Sequence, residues 1–347
     1  MIRFGSDYQE GAHPRILERL MRDNMNQMPG YGADAVCDAA RARIRELCAA
    51  PDADVQFLVG GTQANLTLLA AALRSYQGVI AAETAHIAVH ETGAVEATGH
   101  KVLTLPPTEG KVTAAQVDAC CESHFTNEAF EHMVMPKALY ISQATELGTI
   151  YTRAELAALR EACDKWKLYL YIDGARLGYA MAAAGNDADL PYLAEIVDAF
   201  YIGGTKQGAL FGEAMVILND ELKRDFRYMI KQKGGMLAKG WLLGVQFDEL
   251  LRDGLYFELS KHAVGMAMKL RNALAGMGVS FLVNSPTNQQ FPILPDGVIA
   301  ALREKFSCSD QQRVDTGRCA VRFCTSWATR EEDVDALIAE IRRLLGV

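Results

Sequence analysis

In LYLYIDGARLGYA (168–180) an unbroken apolar run ends on a carboxylate, a glycine and a basic residue. Such a run suits a strand covered on both faces, and the polar residues at its end fall where open parallel sheets place ligands. The flanking segments repeat the theme. KALYIS (137–142) and AFYIG (199–203) are further apolar runs, and TRAELAALREACDKW (152–166) reads as a helix with Thr152 as N-cap and Glu155 three residues on. Moving toward the N-terminus, VQFLV (55–59), GVIAA (78–82) and KVLTL (101–105) read as strands. They alternate with helices over 63–76, about 86–98 and 113–123. Strands separated by helices of this length imply βαβ units and an α/β fold with a mostly parallel central sheet. GEAMVIL (212–218) follows AFYIG too closely for a crossover helix and reads as an antiparallel member of the same sheet.

Beyond residue 220 the rhythm changes. Residues 220–280 are helical in pattern, and the tail reads as VSFLV (279–283), QQFPIL (289–294), a helix over 297–306, RCAVRFC (318–324) and a last helix over 331–345. The expected organisation is an N-terminal arm over 1–30, a large α/β domain over 31–245 and a small C-terminal α+β domain over 246–347. The 347 residues are 50% hydrophobic and 22% charged, which fits a globular chain and excludes a mainly disordered one. A net charge of -8 argues against nucleic acid or an anionic membrane as partner. No segment reaches the apolar length of a spanning helix, and the first residues lack a secretory pattern. The eight cysteines form no CxxC pair and are expected as buried thiols in a cytoplasmic protein. His86 and His90 lie four apart without a third ligand in context, so no metal site is expected.

Three features at strand ends carry the chemistry. Gly60-Gly61-Thr62-Gln63-Ala64-Asn65 lets backbone approach an anion at a helix start, although a plain tight turn reads the same way. It is neither a P-loop nor GxGxxG, which argues against a dinucleotide-binding dehydrogenase. Asp173 ends its strand as a half-buried carboxylate that wants a cation; capping the next helix or pairing with Arg176 is the plainer reading. Lys206, after a strand and two glycines, is poorly placed as a solvated charge. A partly desolvated lysine becomes a Schiff-base nucleophile, while a turn lysine facing solvent is the alternative. Together, in this chain order, the three match the anchors of pyridoxal 5′-phosphate: a phosphate cradle, an acid for the pyridine nitrogen and a lysine for the aldehyde.

On these residues, with Ser6-Asp7, Tyr31-Gly32, His86-Ile87, Glu91, Thr287-Asn288 and VRFCTSW (321–327), the chain resembles the threonine aldolase family of fold-type I pyridoxal-phosphate enzymes, within the β-eliminating lyase group. ISQATELGTIYT (141–152) and the run after Lys206 look most like the subgroup containing bacterial phenylserine aldolase. The resemblance implies cleavage of a β-hydroxy-α-amino acid to glycine and an aldehyde. Another lyase, a racemase or an aminotransferase of the same fold is the alternative. It further implies that Gly61, Thr62 and Asn65 hold the cofactor phosphate and that His86 stacks on the ring and assists the β-hydroxyl proton. Lys206 and Asp173 would be the catalytic pair, and Ser6, Arg176 and Arg322 would bind the substrate carboxylate. Tyr31 would reach a neighbouring subunit's site in a homodimer or homotetramer with shared active sites. Two departures stand out. Glu146 replaces a family histidine that contacts the substrate hydroxyl. The segment Gly234-Gly235-Met236-Leu237-Ala238-Lys239 lacks an expected phosphate-binding arginine, for which Lys239 or Lys233 is the substitute.

Overall fold

The computed structural model describes all residues, 1–347. A short strand β1 (Ile2–Arg3) opens the chain. The central sheet follows: β2 (Asp54–Leu58), β3 (Gln77–Ala82), β4 (Lys101–Leu105), β5 (Met135–Ser142), β6 (Tyr169–Asp173), β7 (Ala199–Gly203) and β8 (Glu213–Ile217). Their spatial order is β2-β8-β7-β6-β5-β3-β4. The pairs from β4 through β7 are parallel, and β8 runs antiparallel to both β2 and β7, as its short connection requires. Every residue of β3, β7 and β8 is buried, which explains their continuous apolar character. Helices Ala114–Phe125 and Arg153–Trp166 both start with complete capping boxes, Thr113 with Gln116 and Thr152 with Glu155.

A second, smaller sheet is built from β9 (Gln289–Gln290), β10 (Ile293–Pro295), β12 (Ser309–Arg313) and β13 (Arg318–Cys324), while β11 (Phe306–Ser307) pairs in parallel with β1. The first residues of the chain therefore pack on the last part of it. Phe4 lies in the apolar core formed by Leu294, Phe323, Leu337 and Ile341. The helix Leu255–Gly276 joins the two cores, with Leu255, Tyr256 and Leu259 in the larger and Leu270 and Leu274 in the smaller. No helix is long and apolar enough to cross a membrane, and all eight cysteines are free thiols.

Three segments differ from the sequence expectation. The helix expected over about 86–98 is one turn, His86–Val89, because Thr92 (φ 52°) and Gly93 (φ 68°) take left-handed conformations that end it; a short 3-10 turn, Glu96–Thr98, follows. Residues 14–23, inside the expected arm, form a helix with Pro14 at its first position and His13 as cap. VSFLV makes only an isolated bridge, Phe281 to Pro292, and QQFPIL divides at Pro292, which has no N–H to give to a ladder.

Candidate active site

The carboxyl ends of β5, β6 and β7, the turn before His86 and the start of the helix Gly61–Ala72 surround one cleft. Its inner part is lined by Gly60, Gly61, Thr62, Asp173, Tyr201 and Lys206, and its outer part by His90, Leu147 and Arg322. Tyr8, His86, Glu146, Arg176 and Lys206 line both parts.

Asp173, buried at the end of β6, accepts four hydrogen bonds. Tyr140 Oη (2.6 Å) and Asn65 Nδ2 (3.0 Å) donate to Oδ2, and Tyr201 Oη (2.5 Å) and the Ala175 amide (2.9 Å) donate to Oδ1. Burial by itself pushes this carboxyl up; the four donors outweigh it and hold the pKa below the ordinary value. A charged carboxylate is thus fixed on the floor of the cleft. Lys206 follows β7 and is half-buried, with its carbonyl accepting from Tyr179 Oη. Burial and then the charge of Arg176 lower the pKa of its amine. The nitrogen lies 5.8 Å from the centroid of the Tyr8 ring.

His86 and Asn65 belong to one hydrogen-bonded chain. His86 Nδ1 is 2.8 Å from Glu91 Oε1, which also accepts from Asn65 Nδ2 (2.7 Å). The same Asn65 nitrogen reaches Asp173, and Asn65 Oδ1 accepts from Tyr171 Oη (2.9 Å). Asn65 is completely buried and its polar atoms are spent on these partners. The sequence expectation of Asn65 at the phosphate is therefore corrected: its side chain points from the second turn of the helix toward the acid, not to the helix start. Glu146 Oε1 accepts from the His86 amide (2.9 Å) and Ser142 Oγ (2.7 Å), and burial raises the pKa of this carboxyl.

The remaining expected residues divide. Gly61 and Thr62 begin a helix whose cap, Gly60, gives no side-chain hydrogen bond, so its first amides face the cleft uncapped. Arg322 donates from Nη2 to the Gly5 carbonyl (3.2 Å), while its buried Nε has no partner. Arg176, expected to bind a substrate carboxylate, lines both parts of the cleft and also forks Nε and Nη2 onto Asp7 at 2.7 and 3.0 Å. Asn288 also holds Asp7 (2.9 Å). Ser6 is half-buried next to this pair and lines neither part of the cleft. Tyr31, half exposed, lies in a separate depression with Arg41, Arg227 and Leu237, its ring 4.9 Å from Lys231 Nζ. Neither Lys233 nor Lys239 lines the cleft.

A family model described as β-eliminating lyase matches residues 4–297. The chain belongs to the β-eliminating lyase family. Within it, the chain is 33% identical to a low-specificity L-threonine aldolase of Pseudomonas sp. (strain NCIMB 10558), with 99% of this chain and 98% of that protein covered. A solved structure of Leishmania major threonine aldolase superposes with a TM-score of 0.96 at 46% identity, covering 99% of this chain and 100% of that one. A Thermus thermophilus aspartate aminotransferase variant, 16% identical, shares the fold with a TM-score of 0.72 over 99% of this chain and 96% of its own. The protein is a pyridoxal-phosphate-dependent lyase of fold type I and of the threonine aldolase family.

The lyase's cleft suits that cofactor on its own chemistry. An uncapped helix start attracts a phosphate, a buried ionised acid suits a pyridinium nitrogen, and a lysine of lowered pKa is disposed to attack an aldehyde. Three lining or supporting residues escaped the sequence reading. Tyr8 sits in a segment without regular pattern. Glu91 was noted only as part of a resemblance, and nothing in the sequence shows that it reaches back five residues to His86. In the sequence Glu213 is only part of the run GEAMVIL (212–218), yet its side chain is buried and lines the inner cleft.

Proposed function

We propose that the protein cleaves β-hydroxy-α-amino acids of the threonine, allo-threonine and phenylserine type to glycine and an aldehyde. The observation that carries this reading is that Lys206, ionised Asp173 and His86 line one cleft, with His86 Nδ1 held by the buried Glu91. Bound pyridoxal phosphate supplies an electron sink for the carbanion left when the Cα–Cβ bond breaks. Lys206 supplies the amine that carries the cofactor. Asp173, kept ionised by its four donors, holds a proton on the ring nitrogen. Gly61 and Thr62 offer backbone amides to the phosphate. The unpartnered Nε of Arg322 makes this guanidinium the group that receives the substrate carboxylate. Arg176 contributes indirectly, by fixing Asp7 and the segment from which Gly5 holds Arg322.

The β-hydroxyl proton needs an acceptor at the cleft. His86, its Nδ1 tied to Glu91, keeps Nε2 for that task. Glu146, with a raised pKa and Oε1 already engaged, lies beside it and orders the histidine through the His86 amide. The relatives named as threonine aldolases and the absence of a partner for Arg322 Nε within the chain both support an amino-acid substrate. Tyr31, away from the cleft of its own chain, fits a role in the site of a neighbouring copy within a homo-oligomer. Free thiols in all eight positions fit a cytoplasmic setting. Product analysis tests the activity. Incubation with L-threonine or phenylserine should release glycine and the matching aldehyde in equal amounts; ammonia with a keto acid would instead assign an eliminating enzyme.

A further inference from the structure

Glu213 opens β8, in register with Leu58 of β2 and Gly203 of β7. Its carboxylate faces the inner cleft and takes two donors, the Gly204 amide at Oε2 (3.1 Å) and Thr205 Oγ1 at Oε1 (2.9 Å). These are the two residues that precede Lys206. The loop that carries the lysine closes on the same point, since the Gly204 and Thr205 amides both donate to the Gly212 carbonyl (3.0 and 3.1 Å), and the Gly212 amide donates to Thr205 Oγ1 (3.0 Å). A buried acid is a costly way to hold a turn, because a neutral amide could accept from Gly204 and donate to Thr205 equally well. The charge itself calls for a reason.

The groups around Glu213 supply one. Lys206 is the cation whose field stabilises its carboxylate, and Asp173 opposes it. Tyr201 from β7, Tyr171 from β6 and Tyr256 from the helix Leu255–Gly276 also face it, all with phenols raised well above their ordinary range and therefore neutral. Arg176 and Asp7 act on the lysine from the other side with opposite signs. We propose that Glu213 is a positioning residue for Lys206: it fixes the Gly204–Thr205 turn and adds, beside Asp7, a negative charge that favours the protonated lysine nitrogen. Burial raises the Glu213 carboxyl to about 7, so this charge is gained and lost near neutral pH.

The inference rests on Lys206 being the cofactor-bearing lysine, and the test separates the two. The near-visible band of the pyridoxal-phosphate-loaded enzyme is titrated with pH in the wild type, Glu213→Gln and Glu213→Asp. The glutamine variant should keep the band but shift its midpoint to lower pH by roughly one unit, as loss of a nearby opposite charge requires. The aspartate variant keeps the charge and should stay near the wild-type midpoint while its turnover falls through the displaced turn. A glutamine variant that titrates at the wild-type midpoint overturns the proposal. If that variant does not fold or hold cofactor, the aspartate variant decides, and a midpoint displaced downward there contradicts it. A wild-type protein without a borohydride-sensitive band would remove the Lys206 reading and this inference with it, whereas an unmoved midpoint on an intact band removes the role of Glu213 alone.

Discussion

Residue by residue, the cleft is a study in how burial and hydrogen bonding set charge. Asp173 and Glu213 are both buried acids at strand ends, yet they shift in opposite directions. Asp173 takes four donors, two of them phenols, and goes down; Glu213 takes two and goes up. The acid of the DGAR stretch and the lysine of GGTK were legible only in combination with GGTQAN, because each alone has a plainer structural explanation. Their partners were not legible. Tyr140, Tyr201, Asn65 and Glu91 come from four separate segments, and only the fold brings them to one point. Arg176 is a further case. The resemblance alone implied its substrate role, and nothing in the sequence showed that Asp7, 169 positions earlier, would hold two of its nitrogens. Glu91→Gln should lower kcat about tenfold, less than removal of the general base itself would, because His86 loses the acid that orients its ring. Stopped assays of aldehyde release with saturating substrate would show it, and an unchanged kcat would remove Glu91 from the account.

At the level of elements, the parallel sheet and its helices followed from apolar runs and capping boxes, and the antiparallel β8 from a connection too short for a crossover. The single-turn helix after Ala85 could not be read, since its end depends on left-handed Thr92 and Gly93. Close packing between β6, β7 and the turn after them makes a firm prediction. A Cβ on Gly174 would lie 1.7 Å from the Tyr201 carbonyl oxygen. Gly174→Ala should therefore destabilise the fold by about 3 kcal/mol or more, at or beyond the upper range for overpacking, as read by urea unfolding. Glu213 also gives β8 a pH signature in the apoprotein. It binds its proton more tightly when folded than the ordinary 4.5, so the stability it contributes is complete below about pH 4.5 and is lost as pH rises through about 7. The melting temperature of Glu213→Gln should accordingly gain on the wild type between those pH values.

For the whole molecule, the site depends on the two ends of the chain meeting. β1 pairs with β11, the Cys324 amide donates to the Phe4 carbonyl (2.7 Å), and Arg322 reaches the Gly5 carbonyl. The small unit was legible as an α+β tail, but its completion by the first residues was not, because a two-residue strand has no periodicity. Phe4→Ala empties part of that core and should cost about 3–5 kcal/mol. It should also raise KM more than it lowers kcat, since Arg322, proposed as the receiver of the substrate carboxylate, is loosened while Lys206 is untouched. The proposed chemistry requires that Lys206 bear the cofactor. Borohydride reduction of the purified, pyridoxal-phosphate-loaded enzyme followed by peptide mass mapping tests it most directly. A reduced phosphopyridoxyl group is expected on the peptide containing Lys206; the same mass on another lysine, or on none, would exclude Lys206 as the residue that bears the cofactor.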